Sequence, residues 1–112
     1  MKIETHIKNS LETCGIEGRD IHEWIDAHFH YENFSEFIKT GILPKGWNPY
    51  EHRIHRHCIE AMNECLIEFK DKYTDADIKA VFKSHLLDDY RGYIPNRDDF
   101  FEKDFHDKYH KF

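Results

Sequence analysis

Apolar residues recur at intervals of three and four along nearly the whole chain, and one apolar position per helical turn commits it to an all-α fold. Ile3, Ile7, Leu11 and Cys14 mark a first helix stopped by Gly15 and Gly18. Asp20 is the expected N-cap of a second helix carrying Ile21, Trp24, Ile25 and Phe29. Ser35 is placed to cap a short helix through Phe37 and Ile38, closed by Gly41. Residues Ile42 to Asn48 hold a Pro and a Gly and read as a loop. Asn48 as cap and Pro49 at the first helical position open the longest helix, with Tyr50, Ile54, Cys58, Ala61, Cys65 and Phe69 among its apolar members. Thr74 with Asp77 resembles a capping box and starts a fourth main helix bearing Ile78, Val81, Phe82 and Leu86. After a turn with Gly92 and Pro95, Asn96 with Asp99 can cap a last helix through Phe100, Phe101, Phe105 and Tyr109. No run alternates with the period of two that a strand requires. The expectation is a bundle of four to five helices, forming a single domain over residues 1–112.

A chain of 112 residues buries roughly 65% of its unfolded surface and needs no staple to fold. No stretch approaches the roughly 20 apolar residues of a membrane span. Nine Phe, six Tyr and two Trp argue against wholesale disorder. The formal charge of −6 makes the chain a poor general binder of nucleic acid or anionic lipid, because its field repels both. Cys14, Cys58 and Cys65 are odd in number and contain no C-x-x-C pair. Cys58 and Cys65, expected on one helix about 10 Å apart, are too distant for a disulfide. Free, buried thiols and an N-terminal stretch without the apolar run of a secretory signal make the cytoplasm the expected address.

Ten histidines are the unusual feature of the composition, and helix geometry separates them. His85 and Asp89 fall, one turn apart, on the apolar face defined by Ile78, Val81, Phe82 and Leu86. A buried carboxylate without partners costs several kcal/mol, so Asp89 must meet a cation, a set of donors or a metal. His22 and Asp26, four apart, repeat the pattern at the flank of the second helix. Two His-x-x-x-Asp pairs on facing helices are how bundle interiors build metal sites. Imidazole with carboxylate suits Zn, Fe, Mn or Ni. His57 lies at the edge of the buried face of the long helix and is a further candidate ligand. His52, about 140° away around the axis, is a second choice. Should the site be catalytic, hydrolysis by a metal-activated water is the expected chemistry, with Asp88 as the base.

Plainer readings stand beside these. An i,i+4 His/Asp pair on a helix surface is worth only about 0.3–0.5 kcal/mol and needs no ion. Asp89 can instead be a buried hydrogen-bonded group paired with Arg53 or Arg91. In that case Arg53, Arg56 and His55 form an exposed basic flank for a protein partner, a second copy or a small anionic ligand. His28, His30, His106 and His110 read as solvated surface residues, and His6 as an edge residue with no evident partner. Trp24 and Trp47 read as core. Ser10, Ser35 and Ser84 lack an evident base, and there is no phosphate loop, G-x-S-x-G or H-E-x-x-H motif.

The succession of Ile21-His22-x-x-x-Asp26, His52-Arg53-x-x-x-His57, and His85-x-x-Asp88-Asp89 followed by Gly92-x-Ile94-Pro95 resembles a family of small bacterial and phage helical proteins catalogued as a domain of unknown function. The similarity covers roughly residues 20 to 100 and rests on a dozen positions. The chain departs from the family in a longer Phe29-to-Tyr50 connection and a longer turn before Ile94-Pro95. The resemblance supplies no reaction; it implies that these polar residues belong to one site.

Overall fold

The computed structural model describes residues 2–27, 29, 31–45, 51–102, 104, 105 and 108, without the side chains of Tyr31, Glu51 and His52. Six α-helices follow in order: α1 (Ile3–Cys14), α2 (Arg19–Ile25), α3 (Tyr31–Thr40), α4 (Glu51–Arg56), α5 (Met62–Phe69) and α6 (Asp75–Asp89). Short 3-10 turns span Ile59–Ala61 and Arg97–Phe101. The chain is all-α, with no strand among the described residues. The sequence readings at Trp47, Asn48, Pro49, Tyr50, Tyr109 and histidines 28, 30, 106 and 110 lie outside the described residues. Among the described residues no helix is long and apolar enough to cross a membrane.

The organising element is α6, which packs against α1, α2 and α5. Its apolar stripe of Ile78, Val81, Phe82 and Leu86 is fully buried, as a period of 3.6 requires. Thr74 caps it, accepting the Asp77 N–H at 3.2 Å. The N-cap of α2 is Gly18, not Asp20. Gly18 has φ +58, and a Cβ there would lie 2.7 Å from Val81 Cγ1; only glycine lets the α1–α2 turn come this close to α6. Asp20 works as a tether instead. Its carboxylate accepts the Tyr73 hydroxyl at 2.8 Å and pairs with Lys72, holding α2 to the α5–α6 connection. α2 ends at Ile25 with Asp26 as its C-cap, short of the expected Phe29. α3 begins at Tyr31, so Ser35 lies inside it and does not cap it, while Gly41 closes it at φ +71.

The largest departure from periodicity is in the expected long helix, which is broken. α4 stops at Arg56, Cys58 is extended (φ −145°, ψ 156°), and the chain resumes through the 3-10 turn into α5. The break is filled by a distant segment. The Pro95 carbonyl accepts the Ile59 N–H at 2.9 Å, and Arg97 donates from its guanidinium to the carbonyls of Ile54 (3.0 Å) and His55 (3.4 Å). Glu60 answers by accepting the Arg97 backbone N–H at 2.9 Å. The orphan carbonyls of a helix end are thus satisfied by tertiary contacts. Cys58 and Cys65, placed on either side of the break, are both buried free thiols. The Asn96/Asp99 capping box forms, but it opens only the 3-10 turn.

Candidate metal centre

Three segments aim polar side chains into one buried point. α6 contributes His85 and Asp89 from its buried face, α2 ends on Asp26, and the break after α4 turns His57 inward. His57 Nε2 is 2.9 Å from Asp26 Oδ1 and 3.3 Å from Asp89 Oδ2. His85 Nε2 is 3.3 Å from each of the same two oxygens, and 3.2 Å from His57 Nε2. All four donors lie within 4.8 Å of one another. Five of the six edges of this figure therefore measure 2.9–3.3 Å. A tetrahedral ion with bonds of about 2.0–2.1 Å needs edges of about 3.3 Å.

Hydrogen bonding alone fits this arrangement poorly. The two Nε2 atoms carry at most one hydrogen each, so no more than two of the five short contacts can be satisfied at once. A central cation uses every lone pair. Two carboxylates also balance a divalent ion with two neutral imidazoles, which makes the centre neutral and lowers the cost of burying it. The donors are buried except for Asp26, whose side chain is 25% exposed and forms the only solvent edge of the quartet.

With no ion, protons take part of its role. Burial works against a charge on His85, but the carboxylates of Asp26 and Asp89 outweigh it and raise its pKa to about 9. Burial likewise works against ionised Asp26 and Asp89. The close imidazoles of His57 and His85, with His6 beside Asp89, overcome it and hold both carboxyls well below their usual range.

His22 stands one step back from the quartet. Its Nδ1 is 2.9 Å from His85 Nδ1, and its Nε2 is 2.9 Å from Ser10 Oγ. Burial, then the nearby His85 and His6 charges, push its pKa down to about 3. His6, read from sequence as an edge residue, is fully buried. Its ring stacks on His85 at 3.7 Å and 13°, and its Nε2 is 3.1 Å from Asp89 Oδ1. Nitrogens of His6, His22 and His85 also lie within 4.8 Å of one another. The in-plane lone pairs of two nearly parallel, stacked rings do not converge at about 2 Å, so one ion cannot be held by both His6 and His85.

Among the remaining candidates, Asp88 and Arg53 have surroundings the sequence did not indicate. Asp88 is outside the quartet, with Oδ2 3.4 Å from His6 Nδ1 and 3.1 Å from Asn9 Nδ2. Its carboxylate is thus engaged by two residues of α1. Arg53 is 3% exposed and lies over the Tyr90 ring at 5.5 Å. The exposed basic flank therefore lacks it, because the packing of α4 turns this guanidinium inward. Arg56 lies over the Trp24 ring at 3.9 Å and donates to the Trp24 carbonyl at 2.7 Å. His55 is exposed and, with Arg56, Ile54, Glu64 and Arg97, lines a pocket of about 340 Å³. The His52 side chain lies outside the described residues. The signals for His6 and Ser10 are weak in sequence, since their partners are 12 to 82 residues away.

No family model matches the chain, and no curated protein or solved structure matches it.

Proposed function

We propose that this chain binds one divalent transition-metal ion through Asp26, His57, His85 and Asp89. One observation carries the reading: five of the six edges among these four donors measure 2.9–3.3 Å, near the edge of a tetrahedron about an ion at roughly 2.0 Å. Zn fits this size and donor set, and Fe, Mn or Ni can use the same imidazoles and carboxylates. The likeness to the small bacterial and phage helical family belongs to the same proposal, since its motif positions His22, Asp26, His57, His85 and Asp89 surround the ion. Elemental analysis of untagged protein tests it, with one equivalent of metal expected. A content below a tenth of an equivalent, with no melting shift on adding Zn, Fe, Mn or Ni, would overturn it.

A hydrolytic role is the second reading, favoured by the exposure of Asp26. His57, His85 and Asp89 form a His₂-carboxylate set of the kind that catalytic zinc sites use, and Asp26 is the donor placed to exchange with a water. Asp26, not Asp88, then takes the base role. The metal-loaded protein is expected to cleave an activated ester or phosphodiester, and Asp26→Asn to lack that activity even at zinc concentrations high enough to load its weakened site. Equal rates with and without metal would rule the reading out.

A further inference from the structure

We infer that α1, which gives no donor to the quartet, positions one of its ligands from two sides: Ser10 acts through His22 on the far nitrogen of His85, and the His6 ring packs on its face. This rests on the ion-binding reading above and adds three positioning residues to it.

The argument follows the hydrogens. If His85 offers the Nε2 lone pair to an ion, its hydrogen is on Nδ1, and the partner at 2.9 Å, His22 Nδ1, must present a lone pair. His22 then carries its hydrogen on Nε2 and donates to Ser10 Oγ at 2.9 Å. The Ser10 hydroxyl in turn donates to the Glu17 carbonyl at 2.9 Å. A main-chain carbonyl only accepts, so the chain has one direction. Reversed, it would leave Glu17 without this donor and put a hydrogen on the His85 nitrogen that faces the quartet. Metal-bound imidazoles are fixed in this way by an acceptor on the far nitrogen.

His6 supports the same ligand from one turn away on α1. The Asp89 Oδ2 oxygen faces His57 and His85, while Oδ1 is 3.1 Å from His6 Nε2. On the other nitrogen of His6, Asp88 Oδ2 lies 3.4 Å from Nδ1 and accepts from Asn9 Nδ2. His6 lies flat against the His85 ring at 3.7 Å, so one helix face sets both the plane of this ligand and, through His22, the position of its hydrogen. Both residues, four apart on α1, point to the same side. His6, Ser10 and His22 are all fully buried.

The test uses Zn(II) and Co(II) as probes on the full chain. His22→Leu and Ser10→Ala are expected to lower Zn affinity about 10–100-fold and to alter the Co(II) spectrum. His22→Asn, which shares leucine's branched heavy-atom skeleton but has an oxygen available to His85 Nδ1, is expected to recover most of the affinity. Nitrogen-15 NMR is expected to show the His22 hydrogen on Nε2 both with and without ion. Wild-type Zn affinity in His22→Leu and Ser10→Ala, or a His22 hydrogen on Nδ1, overturns the inference while leaving ion binding intact. Absence of uptake by the unsubstituted chain overturns ion binding itself. Should His22→Leu fail to fold, Ser10→Ala, which removes a single oxygen, decides the matter.

Discussion

The Arg97 guanidinium donates to the Ile54 carbonyl at 3.0 Å across 43 residues of chain. This contact satisfies the end of α4 at the break, where His57 faces the Asp26–His85–Asp89 cluster. Arg97→Ala is expected to destabilise the fold by about 1–3 kcal/mol, because it exposes a charged-group hydrogen bond and leaves helix-end carbonyls unsatisfied. Zn affinity should fall with it, since His57 loses the break that aims it. Arg97→Lys should not restore either, because an ammonium lacks the fork that reaches two carbonyls. Urea unfolding and chelator competition on the two variants read out both effects.

Stability of the ion-free protein should peak near pH 6.5. His85 is raised from 6.5 to about 9, so its contribution is full below pH 6.5 and is lost as pH rises toward 9. His22 is lowered from 6.5 to about 3, so its contribution is full above pH 6.5 and is lost as pH falls toward 3. The depressed carboxyls of Asp26 and Asp89 add to the acid-side loss below their ordinary 3.8. Saturating Zn replaces the His85 proton and should abolish the alkaline decline. Zn affinity should rise about tenfold per pH unit up to about pH 9, as one proton leaves per ion bound. Melting scans and calorimetry in buffers of different ionisation enthalpy check this; a melting temperature flat from pH 6.5 to 9 without ion would refute it.

The two carboxylates should differ in cost. Asp89→Asn removes a 5% exposed donor that also meets His6, whereas Asp26→Asn alters a donor that is 25% exposed and open to water. Asp89→Asn is expected to abolish stoichiometric Zn binding. The loss from Asp26→Asn should be smaller, though still beyond the roughly 10–100-fold of an outer contact. Zn retained equally by both would contradict the quartet.

Gly18→Ala is expected to cost about 1–3 kcal/mol by overpacking and backbone strain. The added methyl would approach Val81 Cγ1 to 2.7 Å at a φ of +58. Gly15→Ala meets no neighbour within 4 Å and shares only the backbone term. Paired urea titrations separate the two, and equal losses would show that Val81 yields.

The Tyr90 hydroxyl is fully buried and has no hydrogen-bond partner among the described residues. Burial pushes its pKa up. Tyr90→Phe keeps the ring under Arg53 and its packing near Phe100 and Phe105. It should therefore be neutral or stabilise the protein by about 1 kcal/mol, read as a rise in melting temperature.

Which parts were legible in the sequence follows from how local each one is. α6 is uninterrupted, so periodicity alone buries His85 and Asp89 one turn apart. The broken long helix was not legible, because no Gly or Pro separates Tyr50 from Phe69 and Pro95 and Arg97 make the break from elsewhere. Arg53 read as exposed because charge is usually solvated; the Tyr90 ring beside it comes from a different helix end. His6 had no visible partner because Asp88 and Asp89 reach it only once α1 docks on α6.

Asp26, His57 and the His85/Asp89 pair arrive from segments separated by about thirty residues each, and such closures cost chain entropy that grows slowly with loop length. Only His85 and Asp89 are neighbours before the chain folds. An ion shared among all three segments would act as a removable crosslink, stabilising the folded state much as a disulfide does. In a chain whose Cys58 and Cys65 are buried as free thiols, that tie would respond to metal supply instead of redox state.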